Sequence, residues 1–98
     1  MIIETSQFKT KGGVSDEQLL TASQQAQDNY LAQCKGYESR TLAKHTDGTW
    51  LDIVVFASTD DAQAALQGFN GNPHTKAFEE CIDPQTARMN HWEIAKQY

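Results

Sequence analysis

Asp52 stands in the middle of Trp50-Leu51-Asp52-Ile53-Val54-Val55-Phe56, a run otherwise composed of residues suited to burial. An unpaired carboxylate in such surroundings costs several kcal/mol, so it requires either a counter-ion or a hydrated pocket. Arg40 and Arg88 are the candidate counter-ions, reached across a subunit interface; a ligand facing the carboxylate is the alternative. His91, between Asn90 and Trp92, and His45, near Trp50, add imidazoles, whose ordinary pKa of about 6.5 lets them take and return a proton near neutrality. Asp52, His91 and His45 are therefore the candidate acid–base residues. Trp50, Phe56, Trp92 and Tyr30 are the candidate walls of a site for a small hydrophobic or aromatic molecule. Each also has a plainer role open to it: a hairpin-tip residue in solvent for His45, an internally hydrogen-bonded residue for His91, a core tyrosine for Tyr30.

Other chemistries lack their spacing. The three histidines, His45, His74 and His91, are 29 and 17 residues apart, with no His-x-x-x-His or Cys-x-x-Cys, so no metal and no haem or other cofactor is expected. Gly68-Phe69-Asn70-Gly71 is neither a nucleophile elbow nor a phosphate cradle, which disfavours hydrolytic and nucleotide chemistry. Cys34 and Cys81 fall on inward positions near two helix ends, which parallel helices would bring to one end of the domain. Free buried thiols are the expectation there, and a redox pair the alternative.

The elements that must position these residues read in order. Ile2 to Lys9 is a strand, ended by Gly12-Gly13. Ser15-Asp16-Glu17-Gln18 is a capping box opening a helix with Leu19, Ala22, Ala26, Tyr30 and Cys34 on one stripe, expected to stop at Gly36. Tyr37 to Thr46 and Thr49 to Ala57 flank Asp47-Gly48, which predicts a two-residue type I′ hairpin with His45 opposite Trp50 and Ala43 opposite Asp52. That register gathers His45, Thr41 and Ser39 on the face of Trp50, Asp52, Val54 and Phe56, and leaves Arg40, Leu42 and Lys44 on the other. Ser58 caps a second helix bearing Ala62, Ala65, Leu66 and Phe69; Gly71-Asn72-Pro73 interrupts it, a shorter piece resumes near His74, and Arg88 to Ala95 forms the last strand.

The order β-α-β-β-α-β over residues 1–98 predicts one α+β domain, a ferredoxin-like, four-stranded antiparallel sheet with both helices on one face. The opposite face is then bare. With Trp50, Val54 and Phe56 on it, the patch is too apolar for a comfortable monomer, and pairing of two sheets into a homodimer is the expected solution. A domain of 98 residues also has little core to spare for a cavity. The net charge of −5 is the wrong sign for tracking phosphates, so no nucleic-acid partner is expected. No stretch approaches a membrane span, and Met1-Ile2-Ile3 meets Glu4 at once, so no membrane association and no signal peptide are expected; the expected location is cytoplasmic.

Ile2-Ile3-Glu4-Thr5, Gly13-Val14-Ser15, Gly48-Thr49-Trp50-Leu51-Asp52-Ile53-Val54, Ser58-Thr59-Asp60-Asp61-Ala62 and Met89-Asn90-His91 resemble small proteins of the dimeric α+β-barrel superfamily related to antibiotic-biosynthesis monooxygenases. The resemblance implies a protomer that pairs through its sheet into a dimeric barrel. It also implies an activity: oxygenation of an aromatic or hydrophobic substrate without a cofactor, the substrate itself activating oxygen. Members with no catalytic role make a non-catalytic stress-responsive or accessory barrel protein the alternative.

Overall fold

In a computed structural model that describes residues 1–98, the alternation of Ile2, Glu4, Ser6 and Phe8 sets one face of strand β1 (Ile2–Phe8) against the helices. Helix α1 (Asp16–Asn29) starts where the capping box predicts. The Gln18 amide donates to Ser15 Oγ at 3.1 Å, and the Ser15 amide donates to Gln18 Oε1 at 2.8 Å. It ends before Gly36, at Asn29, and a 3₁₀ turn (Leu31–Gln33) carries the chain on. Strands β2 (Tyr37–Lys44) and β3 (Trp50–Phe56) form the hairpin. Helix α2 (Thr59–Phe69), capped by Ser58 Oγ accepting from the Asp61 amide at 3.1 Å, leads through a break to helix α3 (Lys76–Cys81) and strand β4 (Arg88–Glu93).

Thr75 organises that break. It is fully buried, and its hydroxyl lies within hydrogen-bond reach of the Phe69 and Asn72 carbonyls, so the open end of α2 is satisfied by the residue that begins α3.

The sheet is antiparallel with order β2-β3-β1-β4, the ferredoxin-like arrangement. Two apolar clusters fill the space beneath the helices. Ile2, Leu31, Val54, Phe56, Ala62 and Ala65 form one; Phe8, Leu19, Ala22, Ala26, Trp50 and Phe78 form the other, with the Phe8 and Phe78 rings edge to face at 5.8 Å.

The hairpin departs from the predicted register. Lys44 opposes Trp50 and Leu42 opposes Asp52, one residue off the expected pairing. The cause is the turn: the Gly48 amide donates to the His45 carbonyl at 3.0 Å and the His45 amide to the Thr49 carbonyl at 2.7 Å, which makes Thr46-Asp47-Gly48 a three-residue loop. Only Gly48 has positive φ, at 92°, so this is a tight turn closed by a left-handed glycine and not a type I′ turn. The Asp47 carboxylate accepts from the Thr49 amide at 2.8 Å and supports the same loop. A shift of one residue turns the whole strand over. Arg40, Leu42 and Lys44 therefore share the helix-covered face with Asp52, and Ser39, Thr41 and Ala43 lie on the bare face.

The bare face is also corrected. Trp50, Val54 and Phe56 lie under the helices with at most 5% exposure, while Leu51, Ile53, Val55, Ile3 and Trp92 line the uncovered side. β3 is apolar on both faces, so alternation alone does not say which face the helices cover. The cysteines are free thiols, but at opposite ends of α1. Cys34 follows the 3₁₀ turn beyond its C-terminus, and Cys81 lies beside Ser15 and Gln18 at its N-terminus, because the break before α3 redirects the chain.

Candidate functional site

On the helix-covered face of β3, Asp52 sits between Trp50 of one apolar cluster and Val54 of the other. Arg40 reaches it from β2. Nε donates to Oδ1 and Nη2 to Oδ2, both at 2.9 Å, and Nη1 donates to the Ser23 carbonyl of α1 at 3.1 Å. The guanidinium also lies 5.3 Å from the centre of the Phe78 ring. With side chains 5% and 9% exposed, this is a buried, two-pronged pair in which each guanidinium nitrogen makes one hydrogen bond and the flat face rests on Phe78. The counter-ion that Asp52 requires is thus found within the same chain, not across an interface.

Next to this pair opens a cavity of about 200 Å³, between the β3-β1-β4 part of the sheet and α2 and α3. Leu31, Val54, Leu66, Phe69, Phe78 and Met89 are among its apolar walls, and Glu4, Ser6, Asp52, Asn70 and Glu79 are its polar ones. β1 supplies Glu4 and Ser6 because they stand between Ile2 and Phe8 on its inward face. Glu79 comes from α3. One of its carboxyl oxygens is buried without a hydrogen-bond partner, and burial raises its pKa above the usual carboxylate value of 4.5.

His91 pairs with Glu4 directly across β1 and β4, its Nε2 2.9 Å from Glu4 Oε2. The Glu4 side chain is 14% exposed and that of His91 35%, so the pair joins the cavity wall to solvent. Because Nε2 faces a carboxylate, the arrangement favours a proton on Nε2 and a free lone pair on Nδ1.

The remaining candidates are placed apart. His45 lies at the exposed hairpin tip, with Nδ1 3.1 Å from Asp47 Oδ1. Trp50 and Phe56 are core residues. Trp92 is 55% exposed on the bare face and donates from Nε1 to Thr5 Oγ1 at 2.9 Å. Tyr30 packs edge to face on Phe69, a cavity wall, but its hydroxyl donates to the Ala65 carbonyl at 2.6 Å; burial, then the Cys34 thiol, pushes its pKa up to about 12. Of the sequence candidates, Asp52 lines the cavity and His91 joins it through Glu4. Sequence reasoning did not single out Glu4 or Glu79. The signal for Glu4 was present, since the alternation that sends Ile2 and Phe8 inward sends Glu4 and Ser6 with them.

No protein-family model and no curated protein matches the sequence. Solved structures do share its fold. The cofactor-independent oxygenase SnoaB from Streptomyces nogalater superposes with a TM-score of 0.73 at 16% identity, over 98% of this chain and 94% of its own. A Bordetella bronchiseptica protein named as an antibiotic biosynthesis monooxygenase gives 0.79 at 14% identity, over 97% of both chains. A protein from Arabidopsis thaliana gives 0.76 at 11% identity, over 100% and 99%. The likeness is one of fold, and it is the fold expected from the resemblance.

Proposed function

We propose that this chain binds one small, mostly apolar or aromatic molecule in the cavity beside Asp52 and oxygenates it without a cofactor. The observation that carries this reading is an apolar cavity whose wall includes Glu4, itself hydrogen-bonded to His91. Engineered apolar cavities of roughly 150 Å³ admit benzene, so the space suits a ring-sized molecule. The name of SnoaB, whose fold the chain shares, supports the chemistry.

Glu4, on the cavity wall, takes a proton from an acidic C–H of the bound molecule, and His91, donating from Nε2, holds that carboxylate in place. The carbanion passes an electron to dioxygen, and recombination forms a carbon–oxygen bond. Glu4 returns its proton to the resulting peroxide; the O–O bond then breaks, and water leaves with the second hydrogen. For an activated methylene the balance is R₂CH₂ + O₂ → R₂C=O + H₂O. Asp52 and Arg40 neutralise one another and hold β2, β3 and α1 in place around the cavity.

The working form in this reading is a homodimer. The bare sheet face supports it, because Ile3, Leu51, Ile53 and Val55 form an apolar surface that no helix covers. No helix is long and apolar enough to cross a membrane, and the two free thiols suit the reducing cytoplasm, the location proposed here.

Native mass spectrometry of the purified protein tests binding and assembly together, with a dimer mass carrying one small molecule per protomer as the expected result. Oxygen uptake with anthrone in cofactor-free buffer then tests catalysis. Retention without uptake removes the catalytic part. If there is no retained molecule and none of benzyl alcohol, benzylamine and benzoate moves the nuclear magnetic resonance signals of Met89 and Phe78, the binding reading is overturned.

A further inference from the structure

The ionisable groups on the cavity wall, Glu4, Asp52 and Glu79, are all acids, and no lysine, arginine or histidine lines it. The two bases nearest the wall are already engaged. Arg40 spends Nε and Nη2 on Asp52 and Nη1 on the Ser23 carbonyl, and His91 faces Glu4. Glu79 alone of the three has no ion-pair partner; its neighbour Glu80 is the one that meets Lys76, at 3.9 Å on the exposed side of α3. The wall therefore carries a carboxyl group without a counter-charge next to Phe78, and one of its oxygens is a buried acceptor with no donor. Such a group is costly unless a cation or a donor meets it. The three carboxylates do not gather into a set that would hold a metal ion, so the cation that fits is an organic one with an apolar body.

We infer that the cavity selects ring-sized molecules bearing an ammonium group, with Glu79 as the counter-ion, and discriminates against carboxylates. This rests on the reading of the cavity as the ligand site and adds the class of ligand. An ammonium brings both the missing charge and the missing donors, while its ring fills the space among Leu66, Phe69, Phe78 and Met89. A carboxylate ligand would instead meet a wall of its own sign, with no base free to receive it.

Three probes that differ only in their end group test this on the whole protein: benzylamine, benzyl alcohol and benzoate, titrated near neutral pH and followed by the methyl signal of Met89 and the ring signals of Phe78. The expected order is benzylamine at least tenfold tighter than benzyl alcohol, with benzoate weakest. In E79Q the amine-to-alcohol ratio falls to near one, whereas E80Q, altered on the exposed side of α3, keeps the wild-type ratio. Equal binding of amine and alcohol by the wild type, or an undiminished ratio in E79Q, overturns the inference and leaves the cavity as a ligand site. Failure of all three probes to move the signals overturns both.

Discussion

Arg40 and Asp52, diagonal neighbours across the β2–β3 hairpin, are joined by two hydrogen bonds of equal length, 2.9 Å, and together they form the polar seam between two apolar clusters. Removing one partner leaves a buried charge without compensation. Asp52→Ala is expected to destabilise the fold by about 3–5 kcal/mol, while a paired apolar replacement, Arg40→Met with Asp52→Leu, regains most of that loss. Urea denaturation of the three variants checks this; a double variant no more stable than Asp52→Ala would mean that the seam is held by more than its charges.

Glu79 gives a pH-dependent prediction. Its pKa is raised in the folded protein, so the folded state binds the proton more tightly than the unfolded one. The associated stability is fully present below the unfolded value of 4.5 and is lost as pH rises through the folded value. Glu79→Gln, which cannot ionise, is accordingly expected to melt at a higher temperature than wild type near pH 7.5 and to lose that advantage near pH 4. Thermal melts at the two pH values measure the difference, and an advantage that grows on acidification contradicts it.

Tyr30 titrates at about 12, against an ordinary value of 10.0. Ultraviolet titration is expected to show a late tyrosinate step that Tyr30→Phe removes. The variant also loses the bond to the Ala65 carbonyl, at a cost of about 1 kcal/mol. The Tyr30 contribution to stability is present below pH 10 and fades as pH rises toward 12, so wild type and variant converge in alkali.

Gly36 and Gly48 both have positive φ, 78° and 92°, yet they are not equivalent. A Cβ at Gly48 meets open space, whereas one at Gly36 collides with the Asp61 side chain. Gly48→Ala is expected to cost about 1–2 kcal/mol from the backbone alone, and Gly36→Ala more. Equal losses in denaturant midpoints would remove the Asp61 contact from the explanation.

Ile53→Lys tests the bare face. The expected result is a shift from dimer to monomer in sedimentation, with Trp92 becoming more accessible to acrylamide while Trp50, 5% exposed beneath the helices, stays protected. A wild-type protein that sediments as a monomer at micromolar concentration overturns the homodimer.

The elements were legible because their signals are local. Ser15 and Gln18 announce α1 by a reciprocal bond three residues apart, and Ser58 announces α2 by a single one, accepting from the Asp61 amide. The site was less legible because it depends on which face of a strand turns inward. Asp47-Gly48 fits two loop lengths, and the longer one, chosen where Asp47 accepts from the Thr49 amide and keeps negative φ, sends Arg40 to Asp52. Glu79 escaped notice for a related reason: on α3, of only 6 residues, too few turns exist to show that it borders the same space as Phe78.

The three-residue loop at the hairpin tip also bears on how such a chain can diverge. Loss or gain of one codon at Thr46 would leave every core residue unchanged, yet it would invert β2, moving Arg40 to the bare face and bringing Ser39 and Thr41 under the helices. Descent with insertions and deletions, usually free at loop tips, is therefore constrained here as tightly as substitution at a buried side chain. Among descendants of this chain, the length of one exposed turn is expected to outlast the identity of the residues within it.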